Sequence, residues 1–358
     1  MKKLFMILIA VALLLSVLPA VAEEGVSIAD ALVGDVVMFG RFEQDNKTAN
    51  GPEDIAWTVL AERDGAKLLL AREGLMPMAF SKTDKEATWN TSTVRSWLNN
   101  GFYAIAFNAD ERSRILTVHL ENPDNPEYGT EGGEDTDDRV FLLSIDELNE
   151  YLPVQEDRIA GPTAFAKAKG AFVSDTNRNT WWMLRSPGMD LGHSAIVNSW
   201  GFSGGVYPNV DVPYEGEQIN VPDDCLRPAL WVVPEGTGVP EEPAPDGSMA
   251  PWEALDALGD EIYWNTYSAL VMGDVVKKGS KGETAKGVQQ TLVALGQDIT
   301  VDGSVGAKTI AALNAVQEAF GLEKTDSLDA NTYAALLPKL LLVANSDEAD
   351  APAAESGE

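Results

Sequence analysis

Cysteine is nearly absent from this chain of 358 residues, in which Cys225 is the only one. A single thiol cannot form an intramolecular disulfide, so packing alone must hold the fold together. This composition argues against a secreted domain stapled by disulfides. The 45% content of hydrophobic residues also argues against wholesale disorder, and the length allows two or three domains with real cores.

Basic residues are also scarce. The chain has 26 lysines and arginines against 56 acidic residues, which gives a net charge of −30. Such a charge repels DNA and anionic lipid surfaces, so it excludes nucleic-acid binding as a leading hypothesis. Four lysines nevertheless cluster near the start of the C-terminal region, at Lys277, Lys278, Lys281 and Lys286.

The one long apolar run lies at the N-terminus. Lys2 and Lys3 precede an apolar stretch, Leu4 to Leu18, which is followed by a cleavage pattern at Ala20-Val21-Ala22. This order is typical of a secretory signal peptide over residues 1–22, and the run is too short for a comfortable membrane span. The sequence therefore predicts an exported, secreted protein with no membrane span after signal removal.

Shifts in composition divide the rest of the chain into five regions. We expect an α+β domain over 25–233, a Pro/Glu/Gly-rich linker over 234–251, a helical connector over 252–272, a three-helix domain over 273–340 and an acidic disordered tail over 341–358.

Local patterns in the region 25–233 predict short strands and helices separated by long irregular stretches. Asp64-Gly65 between two apolar runs predicts a hairpin. Thr91-Ser92-Thr93 and Asn108 are typical helix N-caps, and a further helix is expected over 145–151. The apolar segments 36–40, 140–143 and 230–233 predict strands. The mixture indicates a mixed, loop-rich α+β fold.

The C-terminal region shows apolar residues at helical spacing in three successive segments. The first carries Val288, Leu292 and Leu295, the second Ile310, Leu313, Val316 and Phe320, and the third Tyr333, Leu336 and Leu337.

Ordered motifs accompany these helices. They are Gly279-Ser280-Lys281-Gly282, Val288-Gln289, the run from Asp302 to Thr309, Val316-Gln317, Phe320-Gly321-Leu322, and Asp329 with Thr332. The series resembles the peptidoglycan-binding-like three-helix domain of bacterial wall proteins. The resemblance implies attachment to peptidoglycan rather than its cleavage. A helical bundle without a specific function is the alternative.

The loop that enters the second of these helices is the candidate peptidoglycan contact. Its residues are Asp302, Gly303, Ser304, Gly306 and Thr309. Glycine backbone N–H groups beside a helix N-terminus suit a carboxylate of a wall peptide. The same residues could instead only shape the turn.

Six segments of the region 25–233 resemble an uncharacterised family of exported bacterial domains, whose fold resembles the formylglycine-generating-enzyme and C-type-lectin-like group. They are Val37–Gly40, Ile55–Leu60, Trp89–Asn99, Asp138–Ser144, Trp181–Gly188 and Leu226–Trp231. Formylglycine-generating enzymes use two cysteines, so their chemistry does not transfer to this chain. The lectin-like resemblance implies a ligand face near Trp181, Arg185 and Trp200, although burial of these residues is the alternative.

No other pattern indicates a catalytic group, a metal site or a cofactor. Gly201-Phe202-Ser203-Gly204-Gly205 fits G-x-S-x-G but lacks the following helix of a serine elbow, and both His119 and His193 precede it. The acidic run 131–138 lacks the spacing of a calcium loop, and the series Asp175-x-Asn177-x-Asn179 comes nearer but has Thr180 where that loop needs a glycine.

These observations predict a cell-wall-associated protein that binds peptidoglycan through its C-terminal domain. The lectin-like domain would bind a glycan or a protein. The alternative is a peptidoglycan hydrolase with a catalytic site in the region 25–233.

Overall fold

The fold was derived from a computed structural model that describes residues 26–82, 85–203, 205–207, 210–212, 216–238 and 249–349. Within 205–212 and 345–349 the description covers the backbone alone. The predicted signal peptide, the middle of the predicted linker and residues 350–358 lie outside these ranges.

Fifteen strands are assigned within the described ranges. They are β1 Val36–Phe42, β2 Glu53–Arg63, β3 Ala66–Ala71, β4 Met76–Pro77, β5 Val118–Leu120, β6 Thr136–Asp138, β7 Trp182–Pro187, β8 His193–Val197, β9 Gly205–Tyr207, β10 Val210–Val212, β11 Glu217–Gln218, β12 Cys225–Leu226, β13 Ala229–Val232, β14 Val276–Lys277 and β15 Ser327–Leu328.

A four-stranded antiparallel sheet has the order β1-β2-β3-β13. Its central hairpin turns at Asp64 and Gly65, whose φ angles of 53° and 83° are those of a tight primed turn. The last strand returns from the far end of the domain to pair Leu230 with Leu69. The hairpin expected from the sequence is thus confirmed.

A second, five-stranded sheet has the order β11-β8-β7-β12-β4. The pair β12 and β7 is parallel, and the other pairs are antiparallel. Every residue of β7 is buried, so this strand lies at the centre of the domain. Cys225, on β12, is a buried free thiol.

The helices are short in the N-terminal domain and longer after residue 250. They are α1 Thr93–Ser96, α2 Tyr103–Ala106, α3 Ala109–Arg114, α4 Ile145–Tyr151, α5 Ala164–Ala168, α6 Pro251–Leu258, α7 Glu261–Val271, α8 Glu283–Ala294, α9 Ala307–Ala319 and α10 Ala330–Ala349. A π-helical segment, Trp97–Phe102, joins α1 to α2, and 3-10 turns lie at Thr48–Asn50, Trp89–Thr91 and Gln155–Arg158.

Side-chain caps start several of these helices, as the sequence predicts. The Ser92 hydroxyl accepts the Arg95 N–H, and Asn108 and Ser144 form reciprocal capping boxes with Glu111 and Glu147. Each box satisfies two backbone N–H groups that the helix itself cannot pair.

Helices α6 and α7 pack against the N-terminal domain. The indole N–H of Trp97 donates to the Val271 carbonyl at 2.9 Å, and the ring of Trp252 meets that of Tyr103 edge-on. The buried Arg112 forms an ion pair of 2.7 Å with Asp256. The region expected to be a connector therefore closes one side of the N-terminal core.

The same two helices pack against the C-terminal helices. Tyr267 of α7 stacks on Tyr333 of α10, and the Tyr333 hydroxyl shares a 2.8 Å hydrogen bond with Thr291. Gly287 of α8 lies directly against Thr266, where a Cβ would come within 1.9 Å of the threonine hydroxyl. Glycine is required there because α7 and α8 approach so closely.

Two expectations differ from the structure. The segment 140–143 is buried but forms no strand, because within the described residues it pairs only through one bridge, between Phe141 and Ala229. The expected disordered tail is helical as far as Ala349, because Leu340 is buried and Val343 packs on the core. Within the described ranges, every helix is too short or too polar to cross a bilayer.

Candidate functional site

The candidate wall-contact loop is built around Gln289, a buried residue of α8. Its side-chain carbonyl accepts the backbone N–H groups of Asp302 and Gly303 at 3.1 and 2.7 Å. Its amide donates to the Asp302 carboxylate at 2.9 Å and to the Ser304 carbonyl at 3.2 Å. One neutral side chain therefore fixes the path of the whole turn.

These bonds decide which predicted residues face solvent. The Gly303 N–H points inward to Gln289, and Thr309 is buried beside the same amide, at 3.4 Å. Asp302, Ser304 and Gly306 are exposed. Gly303 and Thr309 therefore serve to shape the turn. Asp302, Ser304 and Gly306 form the accessible edge of the loop.

The pKa of Asp302 is lowered. The first cause is the hydrogen bond from Gln289, and the second is the Ser304 backbone N–H, which donates to the carboxylate at 2.8 Å. Both bonds stabilise the ionised form. Asp302 therefore stays a carboxylate while it caps the loop.

Basic residues surround the exposed edge of the loop. Lys281 forms a backbone bridge with Ser304, and Lys308 lies in the first turn of α9. Both are exposed, as are Lys277 at the end of β14 and Lys278 directly after it. Lysines therefore lie around the ionised Asp302 at this edge, and their positive charge suits an anionic group.

The next inter-helix loop repeats the same construction. Gln317 of α9 is buried, its carbonyl accepts the Thr325 N–H at 3.0 Å, and its amide donates to the Thr325 hydroxyl at 2.9 Å. Val-Gln precedes each loop in the sequence. The repeat is the signal that could have assigned Gln289 and Gln317 from sequence, but sequence reasoning did not give them this role.

Arg185, expected at the ligand face of the N-terminal domain, is 4% exposed. Its guanidinium contacts the Glu147 carboxylate and donates to the carbonyls of Leu142 and Glu121 and to the side chain of Asn122. Because this network uses its donors within the core, Arg185 is not accessible to a ligand in this structure.

The two tryptophans expected at that face lie in different settings. Trp181 is half-buried and packs on Phe172, with ring centroids 4.5 Å apart. Trp200 is 42% exposed, and its carbonyl accepts from the amide of Gln155 at 2.7 Å. Val154, which precedes Gln155, is also exposed.

Ser203, the serine of the G-x-S-x-G pattern, is buried, and its hydroxyl has no hydrogen-bond partner among the described residues. His119 instead bonds Asp137 at 2.9 Å, and His193 bonds Asp190 at 2.7 Å. A nucleophilic serine requires a base within hydrogen-bond distance, and the described residues place none there.

The sequence-predicted acidic segments serve local structure. Asp138 is buried and accepts from Trp89, Arg95 and Thr136. The amides of Asn177 and Asn179 donate to the Ser199 carbonyl at 2.7 and 3.1 Å.

Sequence reasoning missed a group of three carboxylates, Glu43, Asp45 and Glu53, whose oxygens lie within 4.8 Å of one another. The pKa of Glu43 is raised, first by burial and then by its acidic neighbours.

Two protein families match the chain. Residues 64–234 match a domain of unknown function (DUF6273), and residues 281–336 match a putative peptidoglycan binding domain. The first match begins at the turn of the hairpin and ends just after β13, and the second spans α8, α9 and the start of α10. A search of curated proteins found no match.

Two solved structures are similar to a small share of the chain, each with 32% identity. One is a fused zinc-dependent amidase/peptidase/peptidoglycan-binding domain-containing protein from Clostridium acetobutylicum ATCC 824, matched over 18% of this chain and 28% of that one, with a TM-score of 0.17. The other is the SleB N-terminal domain, matched over 19% of this chain and 93% of that one, with a TM-score of 0.18. The chain thus spans 28% of the amidase chain. Scores this low carry no argument about the fold as a whole.

Proposed function

We infer that this chain, which carries a putative peptidoglycan binding domain over residues 281–336, is a cell-wall protein that binds peptidoglycan. The family match to the C-terminal helices is the observation that carries this conclusion. It agrees with the resemblance found in the sequence.

The exposed edge of the Gln289 loop is the proposed contact. Asp302, Ser304 and Gly306 face solvent, and Lys281 and Lys308 supply positive charge beside them. The peptides of peptidoglycan carry carboxylates, which lysines and a helix N-terminus attract. Gly303 and Thr309 hold the loop in shape.

The N-terminal domain is proposed to have a lectin-like role, binding a glycan or a protein beside Trp200. Its exposed indole is the support for this placement, because aromatic faces stack on sugar rings and anchor protein interfaces. Trp181, whose ring packs on Phe172, would support this domain from within.

Sedimentation with purified, insoluble sacculi tests wall binding. We expect the full chain to pellet with sacculi, and the double substitution Lys281→Glu/Lys308→Glu to lower the bound fraction strongly. The control is Lys82→Glu, which makes the same charge change per site on the exposed surface of the N-terminal domain. It should leave binding to sacculi unchanged.

Two outcomes would count against the proposal. If the full chain stays in the supernatant, it does not bind the wall. If the double substitution and the control behave alike, the contact lies elsewhere. Release of soluble wall fragments in the same assay would instead indicate the hydrolase.

A further inference from the structure

A cleft of 1020 Å³ lies between the N-terminal domain and the C-terminal helices. Its walls come from the end of β1 and the 3-10 turn after it, from α5, from one face of α7 and from the start of α8. Ligand sites prefer such junctions, and this volume is at the upper end of their usual range. The family matches leave out α7 and the segment before residue 64, which together form most of these walls.

The floor of the cleft is apolar and firmly packed. Phe42 and Phe165 are 1% and 2% exposed, and their rings meet edge-on at 5.8 Å. Ile105, Ala269 and Met272 are half-buried and form the accessible part of this floor. A ligand with an aliphatic portion would therefore bury it against a preformed surface.

Carboxylates outnumber basic side chains around the floor of the cleft. Four carboxylates line the cleft, those of Glu43, Glu261, Asp274 and Glu283, against two basic side chains. Of these two, Arg41 is already paired with Asp54 at 2.7 Å. Lys169 has no carboxylate partner among the described residues, and its ammonium lies 5.2 Å from the Phe165 ring centroid.

Glu43 is the buried carboxylate of the cleft, with 3% exposure. It accepts the Lys47 backbone N–H at 2.9 Å, but the Lys47 ammonium pairs with Asp45 at 3.0 Å instead. Burial raises the pKa of Glu43 most, and the charges of Glu53 and Asp45 raise it further, against the backbone N–H groups of Lys47 and Asn46, which lower it. A ligand cation at this point would stabilise the ionised form.

We propose that this cleft binds a short peptide that carries an ammonium group and a carboxylate, with the ammonium at Glu43 and the carboxylate at Lys169. The stem peptide of peptidoglycan has this chemistry where its third residue is a diamino acid with a free amine. The inference rests on the proposed wall function and adds to it a second contact, which recognises the peptide through residues outside the Gln289 loop.

Isothermal titration of the full chain with a synthetic stem tetrapeptide carrying lysine at its third position tests the proposal. We expect binding, and about tenfold weaker binding for Glu43→Gln, since one charge-assisted contact is lost. Acetylation of the lysine side chain should weaken binding to a similar degree. Lys169→Glu should weaken it further, because repulsion replaces attraction.

Two controls separate this effect from a loss of structure. Lys167→Glu makes the same change two residues from Lys169, at an exposed position outside the cleft, and Glu150→Gln matches the neutralisation of Glu43 on the exposed surface of α4. Both should bind the tetrapeptide as the unaltered chain does. Far-ultraviolet circular dichroism of each variant should match that of the unaltered protein.

Three results would overturn the proposal. They are equal binding of the acetylated and free peptides, equal binding by Glu43→Gln and the controls, and binding of calcium alone with no binding of peptide. Sacculus sedimentation distinguishes the remaining cases. If the chain pellets with sacculi but does not bind the tetrapeptide, the cleft proposal fails and wall binding stands, whereas failure of both removes the proposed function as well.

Discussion

The two halves of this molecule bury different kinds of polar groups. The N-terminal domain buries charged residues, among them Arg112, Asp138, Arg185 and Asp224. After residue 250, the buried polar residues described are all neutral: Thr266, Gln289, Thr291, Thr309 and Gln317. The stability of the first half therefore depends on the ionisation states of buried groups, whereas that of the second depends on neutral hydrogen bonds.

The largest effect at a single pH is expected at Arg185. Arg185→Met would leave the Glu147 carboxylate without its partner in a partly buried site, so we expect a loss of about 3–5 kcal/mol in the free energy of unfolding. Urea unfolding followed by tryptophan fluorescence measures this, and seven of the nine tryptophans lie in the N-terminal domain.

The matched control is Arg41→Met, which removes an exposed ion pair with Asp54. It should cost about 0–1 kcal/mol, because solvent screens the pair. If the two substitutions cost the same, the buried network does not contribute as described.

A smaller loss is expected from the neutral hydrogen bonds of Gln289. Gln289→Leu leaves the N–H groups of Asp302 and Gly303 without their acceptor, which should cost about 1–3 kcal/mol. The adjacent Gln290 provides the contrast, because its side-chain carbonyl is buried without a partner among the described residues. Gln290→Leu should cost nothing or stabilise slightly, and a loss equal to that of Gln289→Leu would contradict this account.

The two halves should also differ in their response to pH through Asp224. Burial raises the pKa of Asp224 to about 8, so between pH 4 and pH 8 the folded state holds a proton that the unfolded state has released. Stability should then fall as pH rises through this window, by at most about 1.4 kcal/mol per pH unit.

Unfolding of Asp224→Asn across pH 4–8 tests this dependence. The variant cannot ionise, so its stability should lack this decline and exceed that of the unaltered protein at pH 8. Asp157→Asn, at an exposed site, should leave the decline in place. A decline that persists in Asp224→Asn would assign it to another group.

The smallest effect concerns His119, an exposed residue. Its hydrogen bond to Asp137 is the main cause that raises the pKa of the imidazole. The negative charges of Asp137 and Asp135 raise this pKa further. The contribution to stability is complete below the unfolded pKa of about 6.5 and is lost as pH rises through the folded value. NMR titration should show a lower His119 pKa in Asp137→Asn than in the unaltered protein. An unchanged pKa would show that the hydrogen bond to Asp137 does not raise it.

Local chemistry made much of the fold predictable. The hairpin at Asp64-Gly65, the caps at Ser92 and Asn108, and the spacing of apolar residues in α8 and α9 each depend on neighbours in the sequence. The peptidoglycan-binding resemblance is confirmed by the family match. The lectin-like relation, the signal peptide and the region boundaries stay predictions.

What could not be predicted depends on contacts between distant segments. Arg185 looks like a surface cation in the sequence, and only the approach of the 121–122 and 142–147 segments makes it a core residue. The cleft at Glu43 requires β1 and α7, which are far apart along the chain. Such long-range proximity leaves no periodic signal in one sequence.

The short helix α3 contacts the chain on both sides of the segment 239–248. From α3, Arg114 donates to the Val233 carbonyl at 3.1 Å, Ser113 lies against Gly238, and Arg112 pairs with Asp256 on the other flank. We therefore expect the two halves to stay associated when the chain between them is cut. A protease site engineered into residues 239–248 and cut in the native protein should yield two fragments that migrate as one species in gel filtration and separate only in denaturant.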